Sequence, residues 1–327
     1  MFARKIGIDL GTSSMQVYVR GEGVVANEPT VAAIDPRDGQ LRAIGRQALA
    51  LAERSEWPLQ LVRPVSRGRL TNAGLAQGIL LDLVASAQGR HRLFRPEVLL
   101  CVPAGADGDQ RLALIDAAIA AGARQAWLME APLAAALGLG LPVAEPGPHG
   151  ICDLGAGLLQ VAVISLSGIA ASVVVAAGGE QLDASIAAFM RERYGMQVEQ
   201  QAAEALKIAI GAAGTDDESR SAALDGVTVR SNELTAVVQD WLDNVIASVR
   251  NVLDQVPRRL TNGIAKRGFV LVGGGALMPG LDRFLSRETG VPFRTASDPQ
   301  TCAVRGTRRA LGDFELVHRR QLYLGGR

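Results

Sequence analysis

The stretch DLGTSSMQVYV at residues 9–19 is written again, nearly unchanged, as DLGAGLLQVAV at 153–163. Aligned without a gap, Asp9/Asp153, Leu10/Leu154, Gly11/Gly155, Gln16/Gln160, Val17/Val161 and Val19/Val163 match. The copies stand 144 residues apart in a chain of 327. That length is too great for one comfortable core and predicts two domains. Duplication of an Asp-Leu-Gly hairpin at the head of each half restricts the fold to two α/β halves of similar plan.

The surrounding patterns agree. Lys5–Leu10, Met15–Arg20 and Gly23–Ile34 read as three strands, and residues 35–65 as looser chain punctuated by Asp-Gly, Trp-Pro and Arg-Pro. Ala73–Gln88 has helical apolar spacing, Glu97–Val102 is a buried-strand run, and Asp109–Ala121 is an amphipathic helix. Ala126–Met129 reads as a short strand, and Pro132–Leu139 as a small-residue helix opened by proline. LPVAEPGPHG, residues 141–150, links the halves. Beyond it the plan restarts with a hairpin, a strand at Ala170–Ala177 and helices at Leu182–Tyr194, Gln201–Ile210 and Asn232–Val256. A last strand, Phe269–Val272, runs into Gly273-Gly274-Gly275.

Composition narrows the function. A formal charge of +1 gives no global field for nucleic acid. Cys101, Cys152 and Cys302 stand singly in apolar surroundings without metal spacing, which suits a reducing compartment. The 3 histidines are scattered, which argues against a histidine metal site. The opening MFARKIGIDL enters a strand at once and reads as no signal peptide, and no apolar run reaches the roughly 18 residues of a membrane span.

A glycine turn between strands points backbone N–H groups at one concave spot, a nest for phosphate oxygens. The aspartate before it can hold Mg²⁺ directly or through water. One such hairpin is an ordinary turn. Two of them can clamp a polyphosphate from both sides of a cleft. The glycine triplet could add a point of close approach for a base or ribose, though alone it reads equally well as a tight turn.

These residues resemble the actin, sugar-kinase and heat-shock-chaperone ATPases, and within them the bacterial actins of the MreB type. The likeness is carried by IGIDLGTSSMQVYVRGEGVVANEPTVAAID with its Asn27-Glu28-Pro29 turn, RPVSRGRL (63–70), GLPVAEP (140–146), VAVISLSGI (161–169) and GGEQLD (178–183). AEALKIAIG (203–211), VLVGGGALMPGLDRFLSRETGVP (270–292) and DPQTCAVRGTRRAL (298–311) complete it. The resemblance implies an actin-like α/β fold: two similar domains of ribonuclease-H-like fold, each with a smaller inserted subdomain, and a nucleotide cleft between. Domain I would be residues 1–142, with subdomain IB near 32–65, rejoined by 301–327. Domain II would be 143–300, with subdomain IIB near 182–234.

The resemblance also implies a site for ATP or ADP with Mg²⁺. Gly11, Thr12, Ser13 and Ser14 would bind the β- and γ-phosphates, and Gly155, Ala156 and Gly157 would form the second phosphate loop. Asp9 and Asp153 would hold Mg²⁺ through water. Glu204 and Lys207 would line the adenosine pocket with Gly273, Gly274 and Gly275. Spacing alone puts Glu204 and Lys207 on one helix face and reads as a solvated surface pair.

Three departures matter. The family carries a glutamate that orients the attacking water just before the proline of the 132–140 helix, where this chain has Ala131. Glu130 is the candidate substitute, displaced by one residue. The family's second turn continues with two threonines and a glutamate, where this chain has Leu158, Leu159 and Gln160. The second hairpin thus keeps its binding residues, Asp and Gly, and loses those that do chemistry. Losing such groups costs on the order of 10²–10⁴-fold, so hydrolysis is expected to be very slow or absent, and no catalytic residue is assigned. Third, AAGTDDESRSAALDGVTVRS, after Gly211, is shorter than the family's usual IIB strands, so the chain is expected to polymerise alone, to co-assemble with an MreB-like paralogue, or to cap.

GRHRLFRPE (89–97) sets Leu93 and Phe94 among Arg90, Arg92 and Arg95. In the family a hydrophobic loop here dips into the membrane, and an apolar pair ringed by cations suits acidic lipid. The other reading packs Leu93 and Phe94 under the next strand. The resemblance therefore implies a cytoplasmic filament protein, peripheral at the inner membrane face, acting with cell-shape or wall-synthesis proteins and not with nucleic acid. Its rivals are an active ATPase with relocated water-positioning residues and a non-filament scaffold for a pilus or division machine.

Overall fold

The computed structural model describes residues 3–89, 94–214 and 220–312. The first hairpin is β1 (Lys5–Leu10) and β2 (Ser14–Val19), paired antiparallel with Asp9 opposite Gln16 and Leu10 opposite Met15. β3 (Gly23–Pro29) pairs with β2, and Pro29, opposite Ser14, is its last residue. Here the expectation of one strand over 23–34 is corrected. The Thr30 N–H donates to the Ser13 carbonyl at 2.9 Å, and the chain turns into a separate strand, β4 (Ala32–Ile34).

The expectation of loose chain over 35–65 is corrected too. β4 pairs with both β5 (Leu41–Ile44) and β6 (Gln60–Val62), and α1 (Gly45–Arg54) lies between those two in sequence. GRQALALAER is rich in helix-favouring residues. Its N-cap is Ile44, which offers no capping side chain, so the usual start signal is missing. Asp35, almost wholly buried, is gripped by Arg37 at 2.6 Å and Arg42 at 3.1 Å.

A two-residue hairpin, β7 (Val65–Ser66) with β8 (Arg69–Leu70), leads to α2 (Ala73–Gln88), capped by Asn72, whose side chain accepts the Leu75 N–H at 2.9 Å. β9 (Glu97–Val102), buried at all its positions, runs parallel to β1. α3 (Gly108–Ala120) is capped by Asp107, β10 (Gln125–Glu130) runs parallel to β9, and α4 (Ala131–Gly138) follows directly.

The second half repeats the plan. β11 (His149–Leu154), β12 (Leu159–Ser165) and β13 (Gly168–Val175) are antiparallel neighbours. α5 (Gly179–Tyr194) and α6 (Gln200–Ile210) follow. The small hairpin of β14 (Ser221–Leu224) and β15 (Val227–Arg230) comes next. A 3-10 turn at Ser231–Leu234 then enters α7 (Thr235–Gln255). α8 (Arg258–Arg267), β16 (Phe269–Val272), a second 3-10 turn at Gly274–Leu277, α9 (Leu281–Thr289) and β17 (Phe293–Thr295) close this half. Its sheet order, β17-β16-β11-β12-β13, is the order β10-β9-β1-β2-β3 of the first sheet. In both sheets the parallel strands lie on one side of the hairpin's first strand and the antiparallel ones on the other.

Val143–Gln300 forms one compact unit, and the chain up to Pro142 forms the other together with the segment from Thr301. That returning segment is α10 (Cys302–Gly312), and it docks backbone to backbone. A Cβ on Gly306 would stand 1.7 Å from the Ala134 carbonyl oxygen of α4, and one on Gly138 would stand 2.0 Å from the Cys302 carbonyl oxygen. A Cβ on Gly7 of β1 would meet the Thr307 hydroxyl. Glycine is required at these contacts by proximity.

Candidate functional site

The two glycine turns have the same geometry. Gly11 N–H donates to the Ser14 carbonyl at 3.0 Å, and Gly155 N–H donates to the Leu158 carbonyl at 3.0 Å. Each closes a hairpin in the same register, Asp9 opposite Gln16 and Asp153 opposite Gln160. A Cβ on either glycine would press on the carbonyl it bonds. In the first turn Thr12 is buried and Ser13 exposed. In the second, Gly157 is buried, while Ala156 and Leu158 are half-buried.

The carboxylates differ in their company. Burial pushes Asp9 up to about 6, and no charge or hydrogen bond from the described residues offsets it. A carboxylate desolvated without a counter-charge fits a site that a cation completes. Asp153 accepts from Gln160 Nε2 at 3.0 Å, and Gly273 sits against it, since a Cβ there would come 2.7 Å from Asp153 Oδ1. Gly273 has φ 81°, where glycine is favoured. Gly275 presses on Leu154 in the same way. The glycine triplet is therefore brought to the end of β11, beside Asp153. Among the described residues no group of three or more His, Cys, Asp or Glu could hold a metal by itself, so a cation here would draw ligands from water and phosphate.

The second turn is braced from behind. Gly179 N–H donates to the Gly155 carbonyl at 2.9 Å, and Glu180 N–H to the Ala156 carbonyl at 2.8 Å. These are first-turn donors of α5, which no carbonyl within the helix can satisfy. Gly178 permits the approach, because a Cβ there would lie 2.2 Å from the Ala156 carbonyl oxygen.

Lys207 is not half of a solvated pair with Glu204. Its Nζ lies 2.7 Å from Oδ1 of Asp183, a carboxylate on the buried face of α5. Sequence reading gave Asp183 no role. The available signal was a carboxylate at a position that helical spacing assigns to the apolar face, with Leu182, Ile186 and Met190. Glu204 is half-buried, and its charge acts on Asp183.

Around the departures, Ala131 is buried at the start of α4. Glu130, the candidate substitute, is engaged elsewhere in its own unit. Its Oε1 accepts from Arg111 at 3.2 Å and from the Gly105 N–H at 3.4 Å. Cys101, Cys152 and Cys302 are free and buried. In the candidate membrane segment Phe94 is 49% exposed. Gln88 donates to its carbonyl at 3.2 Å, and Arg95 is exposed. Arg90, Arg92 and Leu93 lie outside the described residues. No helix among the described residues is long and apolar enough to cross a membrane.

Comparison with known proteins gives one answer. The sequence model of a family described as MreB/Mbl protein matches residues 3–319. The chain is 37% identical over 326 residues to the cell shape-determining protein MreB of Escherichia coli (strain K12), covering 95% of this chain and 94% of that protein. It is 29% identical over 332 residues to the cell shape-determining protein Mbl of Bacillus subtilis (strain 168), covering 98% and 100%. Among solved structures, MreB5 of Spiroplasma citri bound to ADP superposes with a TM-score of 0.88 at 28% identity, covering 94% of this chain and 96% of that one. The same protein bound to AMPPNP gives 0.85 at 28% identity, covering 95% and 96%.

Proposed function

This chain belongs to the MreB/Mbl family and has its actin-like fold, and we propose from that premise that it is a nucleotide-holding subunit of a cell-shape cytoskeleton that turns its nucleotide over very slowly or not at all. The observation that carries the binding half is the pair of glycine turns with equal 3.0 Å closures and equal Asp–Gln register. Gly11–Ser14 and Gly155–Gly157 would each take phosphate oxygens of ATP or ADP. Asp9 and Asp153 would hold Mg²⁺ through water, and Glu204, Lys207 and Gly273–Gly275 would take the adenosine. The ADP and AMPPNP bound by the S. citri relative support this assignment.

The slow-turnover half rests on the residues that stand where the family has its water-positioning groups. Mg²⁺ supplies charge neutralisation at the phosphates, but a water must still be aimed. Ala131 and Leu158 have no polar atom in their side chains for that, and Glu130 already serves Arg111 and Gly105. The test is paired: load the purified protein with ATP–Mg²⁺, then measure retained nucleotide and released phosphate over hours. Retained ATP with almost no phosphate is expected. Steady phosphate release that disappears in Asp153→Ala would restore an active ATPase with relocated residues.

Self-association, or assembly with an MreB-like paralogue, follows from family membership. The strands of the β14–β15 hairpin are only four residues long, which favours co-assembly or capping over growth alone. The exposed Phe94, with Arg95 and with Leu93, Arg90 and Arg92, is proposed to touch acidic inner-membrane lipids. The protein would then work at the cytoplasmic face with membrane-bound cell-shape or wall-synthesis proteins.

A further inference from the structure

Asp183 is 2% exposed, on the buried face of α5. Lys207 reaches it from α6, with Nζ 2.7 Å from Oδ1, and donates to the Gly179 carbonyl at 3.4 Å. Gly179 and Glu180 then donate their N–H groups to the carbonyls of Gly155 and Ala156. One chain of polar contacts therefore runs from α6, through the first turns of α5, into the second glycine turn.

We propose that Asp183 is a positioning residue for nucleotide: it fixes the Lys207 ammonium, and through it holds α6 and the Gly155–Gly157 turn in one arrangement before the ligand arrives. The inference rests on the reading that Lys207 and this turn face the nucleotide. Its physical basis is the cost of a bare buried carboxylate. Desolvation raises Asp183 above the usual carboxylate range, Lys207 pulls it back, and the charges of Glu204 and Glu180 raise it further. Lys207 is thus the cation that offsets the Asp183 charge, and it cannot swing into solvent without leaving Asp183 uncompensated. A lysine already immobilised loses little rotamer freedom when a ligand binds, whereas a free one loses most of it.

A staple that only joined α5 to α6 would alter unfolding and leave the nucleotide affinity of folded molecules alone. The two roles separate in a double-mutant cycle with Asp183→Asn, Lys207→Met and the double variant. The readouts are the dissociation rate of a fluorescent ATP–Mg²⁺ and the urea midpoint without nucleotide. The double variant removes both charges of the pair together, so neither is left buried without its partner, and it keeps the cycle usable where a single variant folds poorly. The expected result is dissociation about tenfold faster in Asp183→Asn, with the double variant no worse than Lys207→Met. A dissociation rate in Asp183→Asn within about twofold of wild type, or fully additive effects, would overturn the inference while leaving nucleotide binding intact. Failure of the wild type itself to hold nucleotide would overturn the binding reading, and this inference with it.

Discussion

Asp9 and Asp153 hold equivalent places in the two hairpins, yet their surroundings divide the work. Asp153 already has the Gln160 amide at 3.0 Å and the Gly273 backbone against it. Asp9 has burial without compensation, which pushes it up to about 6. A group in that condition opposes folding when ionised, and an arriving cation removes the penalty. Asp9→Asn should therefore be no less stable than wild type in urea when nucleotide and metal are absent. With ATP–Mg²⁺ at ~100 times its dissociation constant the wild type should gain about 2.7 kcal/mol, and the variant under about 1 kcal/mol. An equal gain in both proteins would remove Asp9 from the metal site. The two aspartates were legible in sequence because the repeat names them. Asp183 was not, because a carboxylate on an apolar face gains meaning only once Lys207, from the next helix, is seen beside it.

At the scale of elements, the join between α4 and α10 is the tightest constraint in its unit. APLAAALG is buried at every position from Ala131 to Leu137. Gly306 and Gly138 let the two backbones touch, and α10 brings Thr307 onto Gly7 of β1, the strand that ends in the first glycine turn. Gly306→Ala would place a methyl 1.7 Å from the Ala134 carbonyl oxygen, so the helices must separate. The expected loss is about 2–3 kcal/mol, read as a lower urea midpoint with an unchanged slope. A shift below about 0.5 kcal/mol would mean that the helices slide past one another freely. Most elements were readable from periodicity, α2 and β9 to the residue. α1 was hidden because Ile44 caps nothing and Pro/Gly punctuation surrounds it. The break between β3 and β4 was hidden because Thr30 and Val31 are good strand residues. What ends β3 is the Pro29 edge, and the Thr30 N–H is drawn off to Ser13.

At the scale of the molecule, the proposed membrane contact and the proposed slow turnover bear on each other. The exposed Phe94 with its neighbouring arginines would make only a marginal anchor: each cation contributes about 1 kcal/mol near an acidic surface, and one aromatic ring adds only a few kcal/mol more. Two such weak sites held in one assembly bind far more tightly than either alone, because the second binding event becomes intramolecular. A subunit that keeps its ATP has no internal timer to dissolve that assembly, so release from the surface must come from outside the subunit. Pelleting with acidic vesicles should accordingly rise steeply, not linearly, with protein concentration. It should be the same with ATP–Mg²⁺ and with a non-hydrolysable analogue over an hour. Phe94→Ser should abolish it while leaving nucleotide retention unchanged. Salt should weaken it as the screening length contracts from about 10 Å at 0.1 M to about 3 Å at 1 M. Binding that is linear in concentration and indifferent to Phe94→Ser would place the protein away from the lipid. Binding that decays only with ATP would show that the subunit carries a hydrolysis timer after all.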